Sequence, residues 1–318
     1  MRELLILEPF RPEHMERIRE AAGENWTIHF HPQGLPEAEL KAALSTAEVV
    51  CGAPAPRLLH KTGSVKWLQL VSAGTDAYTN GGVPFPEGMR LTNASGAFGH
   101  IISQYVVAQI LSIMLNLPGY HCQQQQELWN DLGPVASLEG ATVLIFGTGN
   151  IGTEITERLK GFHTCNVGVC RNTSRPRPGF DRLCTMEEAA DWLPKADVVI
   201  GCIPASPASH HYMNEERLKR MKPGAVLINV GRGSFIDSDA LVKVLESGLL
   251  RGAAMDVTEP EPLPVGHPLW KLTNCLITPH TSGGSFGRHI GTENRICDIL
   301  CENLRRWNQG EGLKNLVL

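Results

Sequence analysis

Residues 141–152 read Ala-Thr-Val-Leu-Ile-Phe-Gly-Thr-Gly-Asn-Ile-Gly, an apolar run that ends at Gly147-Thr148-Gly149-Asn150-Ile151-Gly152. A short apolar run closed by glycine reads as a buried strand, and the residues beyond Gly152 keep a helical pattern to about Lys160. Strand, glycine loop and helix in this order are the context that a dinucleotide fingerprint requires. Gly147 permits the tight turn, Gly149 lets backbone approach a pyrophosphate, and Gly152 lets helix and strand pack closely. The helix then presents unpaired N–H groups to the anion. The glycine pattern by itself is weak, because ordinary loops match it; its flanks give it meaning.

Working outward, the next strand is Asn166-Val-Gly-Val-Cys170. A unit that binds NAD usually places Asp or Glu at the end of this strand to hold the ribose hydroxyls. Cys170 stands there instead, and a thiol is a poor acceptor for that pair. Arg171-Asn172-Thr173-Ser174-Arg175 follow, and an arginine here can bind a 2′-phosphate. NADP is therefore the expected cofactor, with NAD possible, Arg171 as the main phosphate contact, and Asn172, Ser174 and Arg175 beside it. A basic surface turn indifferent to the cofactor is the bland alternative.

Three further apolar runs end in chemistry. Val226-Leu-Ile-Asn229 leads to Arg232, Gly252-Ala-Ala-Met-Asp-Val257 to Glu261, and Cys275-Leu-Ile-Thr278 to His280. In an open parallel sheet, residues just past strand C-termini share the edge where ligands bind. An arginine can grip a carboxylate in a fork, a histidine can move a proton, and a carboxylate behind the histidine can orient it. Those are parts for reducing a 2-keto acid. Taken singly, each has a bland reading: a surface arginine, a solvated loop charge, a histidine capping a turn. Their occurrence after three successive strands favours the joint one.

The 318 residues suggest two domains, and a net charge of −4 argues against nucleic-acid or membrane-surface roles built on basicity. The apolar start is too short for a signal peptide, and the run Tyr105–Leu117 is shorter than a membrane span, so a cytoplasmic location is expected. Nine cysteines form no C-x-x-C pair and read as reduced thiols. His210-His211 and the pair His29 and His31 lack carboxylate or cysteine partners at ligand spacing, so no metal site is expected. Short strands and helices alternate through the first hundred residues. A long helix is expected over 99–121, a capping box at Thr185–Glu188, an Asn cap at Asn214, and a last amphipathic helix over 285–309.

Together these segments, from LQLVSAGTD and LTNASG through GTGNIG, CIPASP and MKPGAVLINVGRGS to AAMDVTEPEPLP and LITPHTSGGS, resemble the D-isomer-specific 2-hydroxyacid dehydrogenases over nearly the whole chain. The resemblance implies an α/β fold of two Rossmann-like domains. One is a doubly wound dinucleotide-binding domain, 99–287. The other is a smaller flavodoxin-like substrate domain, 1–98 plus 288–318, with the chain crossings acting as a hinge. It implies Arg232 as the grip on the substrate's carboxylate and keto oxygen, His280 as general acid and base, and Glu261 as its partner. Cofactor contacts would come from Thr148, Asn150, Ile151, Ile203, Pro204, Val230, Gly231, Asp256 (holding the nicotinamide carboxamide) and Ser282. The amides of Ala73 and Gly74 would take the substrate carboxylate. A homodimer acting on a small 2-keto acid such as glyoxylate or hydroxypyruvate is expected. Formate dehydrogenases are similar but pair the histidine with glutamine, and Glu261 argues against them. A corepressor-like binding protein on the same fold is the alternative from another class.

Overall fold

In the computed structural model, which describes residues 1–60, 62–80 and 82–318, the chain divides into two compact units. Met1–Phe98 with Gly284–Leu318 form one, and Gly99–Gly283 the other.

The first unit holds five parallel strands: β1 (Arg2–Ile6), β2 (Trp26–Phe30), β3 (Val49–Cys51), β4 (Trp67–Gln69) and β5 (Arg90–Thr92), ordered β2-β1-β3-β4-β5. That is the flavodoxin-like order. Leu4, Leu5, Ile6, Val49, Val50 and Cys51 are all fully buried. Consecutive apolar residues are needed because helices cover both faces of such a sheet. One covering layer is the helix Pro12–Ala22, which shares a core with the returning helix Ile290–Gln309 through Met15, Ile18, Ile296, Leu300 and Leu304. Asn308 on that last helix accepts from Arg2 Nη1 at 3.0 Å and from Trp26 Nε1 at 2.9 Å. The helix starts five residues later than its pattern predicts. Gly287 has φ +73°, outside helical space, and His289 is the N-cap, its Nδ1 accepting from Thr292 N–H at 3.1 Å.

The second unit holds β6 (Thr142–Phe146), β7 (Cys165–Val169), β8 (Arg182–Cys184), β9 (Val198–Gly201), β10 (Val226–Asn229), β11 (Gly252–Met255) and β12 (Cys275–Ile277). All are parallel in the order β12-β11-β10-β9-β6-β7-β8. The order reverses between β6 and β9, and that switch point is where a doubly wound sheet opens its ligand crevice. Phe146, Tyr212 and Phe235 cluster beneath it, with ring centroids 5.0–6.0 Å apart. The capping box forms: Glu188 N–H donates to Thr185 Oγ1 and Thr185 N–H to Glu188 Oε2. Asn214 Oδ1 caps its helix by accepting from Arg217 N–H at 3.0 Å.

The single helix expected over 99–121 is in fact two, Gly99–Met114 and Leu117–Gln124, bent by 69°. Asn116 adopts φ +56°, and Pro118 has no N–H to continue the ladder. Ile102, Val106, Ile110 and Ile113 of the first helix are buried. Among the described residues no single helix is long and apolar enough to cross a membrane.

Candidate active site

The glycine loop sits at the switch point as β6 ends. Gly147 has φ +113°, a conformation few other residues adopt. A Cβ on Gly152 would lie 2.0 Å from the Gly147 carbonyl oxygen, so only glycine lets the helix Asn150–Leu159 start this close to the strand. A Cβ on Gly149 would meet nothing within 4 Å. The space over that backbone is open, and no side chain caps the helix behind it. An open glycine facing a helix N-terminus fits the pyrophosphate of a dinucleotide. Thr148, Asn150 and Ile151 share this turn. Ile203 and Pro204 follow β9 on the other side of the reversal, and Val230 and Gly231 follow β10.

Past β7, Cys170 is followed by Arg171, Asn172, Ser174 and Arg175, all exposed. Asn172 Oδ1 accepts from Ser174 N–H at 2.9 Å and from its hydroxyl at 2.6 Å. This Asx turn shapes the loop that carries the two guanidinium groups.

Arg232, Glu261 and His280 follow the C-terminal ends of β10, β11 and β12, three neighbours in the sheet. A Cβ on Gly233 would lie 1.9 Å from the Thr258 carbonyl oxygen, so the arginine loop lies directly against the loop leading to Glu261. Glu261 Oε1 is 2.6 Å from His280 Nδ1, with both side chains about half exposed. Arg232 Nη1 donates to the Gly231 carbonyl at 2.8 Å. A cavity of about 360 Å³ opens beside the pair, lined by Asp256, Glu261, Leu263, Trp270, Ile277 and His280. Ala73 and Gly74 belong to the first unit, in the loop after β4, where Asn93 Nδ2 holds the Ala73 carbonyl at 2.8 Å.

His280 has φ +51°, and Asp256 is what holds it there. The Asp256 carbonyl accepts His280 N–H at 2.8 Å. Its carboxylate accepts Thr278 Oγ1 (2.6 Å) and Thr281 N–H (2.8 Å) on one oxygen, and Ser282 N–H (3.0 Å) and Ser282 Oγ (2.5 Å) on the other. Asp256 is 2% exposed and all four acceptor directions are filled. The expected contact with a nicotinamide carboxamide would require one of these bonds to be given up. In this structure Asp256 anchors the histidine turn, and Ser282 is part of that anchor. Thr278 has a single hydroxyl proton, directed at Asp256, so Tyr105 donates to it at 2.8 Å. Burial pushes the Tyr105 phenol up to about 12, which keeps it a donor.

The family described as D-isomer specific 2-hydroxyacid dehydrogenase, NAD binding domain, matches residues 107–282. The chain belongs to that dehydrogenase family. It is similar to a crystal structure of a D-isomer specific 2-hydroxyacid dehydrogenase family protein from Aeromonas salmonicida, at 33% identity and TM-score 0.87, covering 100% of this chain and 99% of that one. It is 32% identical to a glyoxylate reductase from Thermofilum pendens over 70% of this chain and 66% of that protein. An NADPH-dependent glyoxylate/hydroxypyruvate reductase from Sinorhizobium meliloti, solved with NADP and sulfate, shares the fold at TM-score 0.82 and 21% identity, covering 100% of this chain and 98% of that one.

Two features of the site are set by contacts that spacing along the chain does not encode. Asn229, fully buried at the end of β10, accepts Gly231 N–H at 3.1 Å and donates to the Arg232 carbonyl at 2.9 Å, fixing the turn that presents the arginine. The one signal in the sequence was a polar residue ending an otherwise apolar strand. The second corrects the view that His210-His211 lacks a carboxylate. Glu259 Oε2 lies 2.8 Å from His211 Nε2 and 3.8 Å from His210 Nε2. Forty-eight residues separate His211 from Glu259, so spacing could not reveal the pair.

Proposed function

We propose that the protein reduces a small 2-keto acid of the glyoxylate or hydroxypyruvate type to a D-2-hydroxy acid with His280 as general acid, preferring NADPH. The observation that carries this reading is the 2.6 Å contact between His280 Nδ1 and Glu261 at the ligand edge of a family dehydrogenase. A carboxylate on Nδ1 orients the ring and leaves Nε2 as the nitrogen that gives and takes the substrate proton. Bound nicotinamide supplies the hydride. Arg232 grips the substrate carboxylate and keto oxygen and stabilises the negative charge that grows on that oxygen. In the oxidative direction His280 Nε2 takes the hydroxyl proton.

The cofactor preference rests on Cys170 standing where NAD units carry an acid, and on the exposed Arg171 beside it. Relatives named as glyoxylate reductases support the substrate class. A homodimer is part of the same proposal. The helix Gly99–Met114 leaves Ile101, Tyr105, Val107 and Leu111 partly exposed, and Leu117, Leu128, Trp129, Leu132 and Val135 are exposed beyond it. The deciding assay is a panel of 2-keto acids with NADPH and with NADH. Turnover of glyoxylate or hydroxypyruvate, several-fold more efficient with NADPH, is expected. Cofactor binding without turnover of any 2-keto acid would favour the corepressor-like role instead.

A further inference from the structure

We infer that His210, His211 and Glu259 form a binding site for a divalent transition-metal ion of the zinc class, separate from the dehydrogenase chemistry. Their three candidate ligand atoms lie within 4.8 Å of one another. A tetrahedral ion with arms of about 2.1 Å spaces its ligands about 3.4 Å apart. The observed separations of 2.8 and 3.8 Å from Glu259 Oε2 bracket that spacing, and small rotations of side chains about half exposed would equalise them. Two imidazoles and one carboxylate are a zinc donor set that leaves a fourth position for water or another ligand. Because two of the three donors are nitrogen, the set discriminates against magnesium and calcium, which take oxygen.

A plain ion pair would need only one histidine. Here both rings turn Nε2 toward the same carboxylate oxygen, and binding one ion would swing them out of the stack they now form at a centroid distance of 4.1 Å. A shared cation would satisfy both imidazole nitrogens and the carboxylate at once. The backbone holds the arrangement. His211 sits at φ +45°, with its N–H donating to the Ser234 carbonyl at 2.6 Å, and Met213 bridges to Ile236 in parallel. The Glu259 carbonyl accepts from Ser238 Oγ at 3.5 Å. A bound ion would therefore tie the loop after β9 to the loop that carries Glu261.

The test is calorimetric titration of zinc chloride into the full chain after chelator treatment, with magnesium chloride as control. Saturable zinc binding at one ion per chain is expected, with no heat from magnesium. His210→Ala, which leaves the His211–Glu259 contact intact, and Glu259→Gln should each weaken zinc binding about tenfold or more, since loss of a merely supporting group already costs that much. Unchanged melting of both variants without metal separates lost ligation from lost folding. A cobalt(II) visible spectrum of the tetrahedral type, absent from both variants, is the second readout. No saturable binding to the wild type, or equal binding by wild type and both variants, overturns the assignment.

Discussion

Replacing Asp256 by Asn tests whether a buried carboxylate, and not the loop's own preference, sets the position of His280. The change keeps shape and volume but turns one acceptor oxygen into a donor NH2. If that NH2 faces Thr281 N–H, Thr278 must accept from it while also accepting from Tyr105. If it faces Ser282, the hydroxyl can rotate to accept, and one buried backbone N–H loses its partner. The second arrangement costs less. An unpaired buried donor costs roughly 1–3 kcal/mol, and the remaining bonds each lose about 1 kcal/mol when their acceptor is no longer ionised. Relief of the carboxylate's desolvation offsets part of this, leaving a net loss of about 3 kcal/mol. For a unit of this size that lowers the melting temperature by roughly 6–12 °C. His280 at φ +51° keeps its bond to the Asp256 main-chain carbonyl, but its turn loses part of its side-chain anchor; if His280 is the proposed general acid, kcat should fall by about ten- to a hundredfold, the scale of a shift of about 1 Å. Thermal melts followed by tryptophan fluorescence, with steady-state kinetics on the same samples, read both effects. A variant that melts within about 2 °C of wild type, on the scale of a sub-kilocalorie change, and retains full kcat would refute the anchoring role.

The other predictions bear on separate parts of the molecule. His280→Gln should lower reductive turnover by roughly two to four orders of magnitude with a smaller change in KM, as loss of a general acid does, and single-turnover kinetics would check it. Arg171→Ala should raise the KM for NADPH about tenfold, the worth of one exposed charge-assisted contact to a phosphate, while the KM for NADH stays nearly unchanged. Alkaline stability should depend on Tyr78 and Tyr105, both pushed up to about 12 chiefly by burial. The native state retains these protons above the ordinary value near 10, so the stability they contribute is full below about pH 10 and lost as pH rises from 10 to 12. Urea unfolding across that range, with tyrosinate absorbance as monitor, should show protons released on unfolding, and a flat stability profile would contradict it.

Much of the fold could be read before any coordinate. Strands β6, β10 and β12 are apolar runs closed by glycine or by chain-reversing loops, and a parallel sheet covered on both faces demands such runs. Edge elements were harder. Strand β8 begins with exposed Arg182 and is only three residues long, so it carries almost no pattern of its own and exists through its pairing with β7. The break after Met114 had a visible cause in Pro118, but the apolar pattern ran straight across it. Burial against neighbours produces that pattern, and two helices packed in succession can continue it.

The candidate site divides along the same physical line. Which residues follow the strand ends is a property of order along the chain, so Arg232, Glu261 and His280 could be singled out from spacing. What fixes them is hydrogen bonding across the sheet edge, which spacing does not encode. In the sequence Asp256 is one acid in an acidic loop, and the resemblance implies that it holds the nicotinamide carboxamide. In the folded chain it is 2% exposed and saturated by Thr278, Thr281 and Ser282. Asn229 plays the matching part for Arg232, and it looked like one more strand residue. Both anchors are short polar side chains at the ends of neighbouring strands: Asn229 binds the backbone of the loop that follows it, and Asp256 binds the loop after the adjacent strand β12. A cation and an imidazole on flexible loops would otherwise lose their geometry to loop entropy. Placing a buried acceptor at each strand end ties the neighbouring loop to the rigid sheet, and this holds side chains that are themselves partly exposed in one geometry, as the proposed reaction requires.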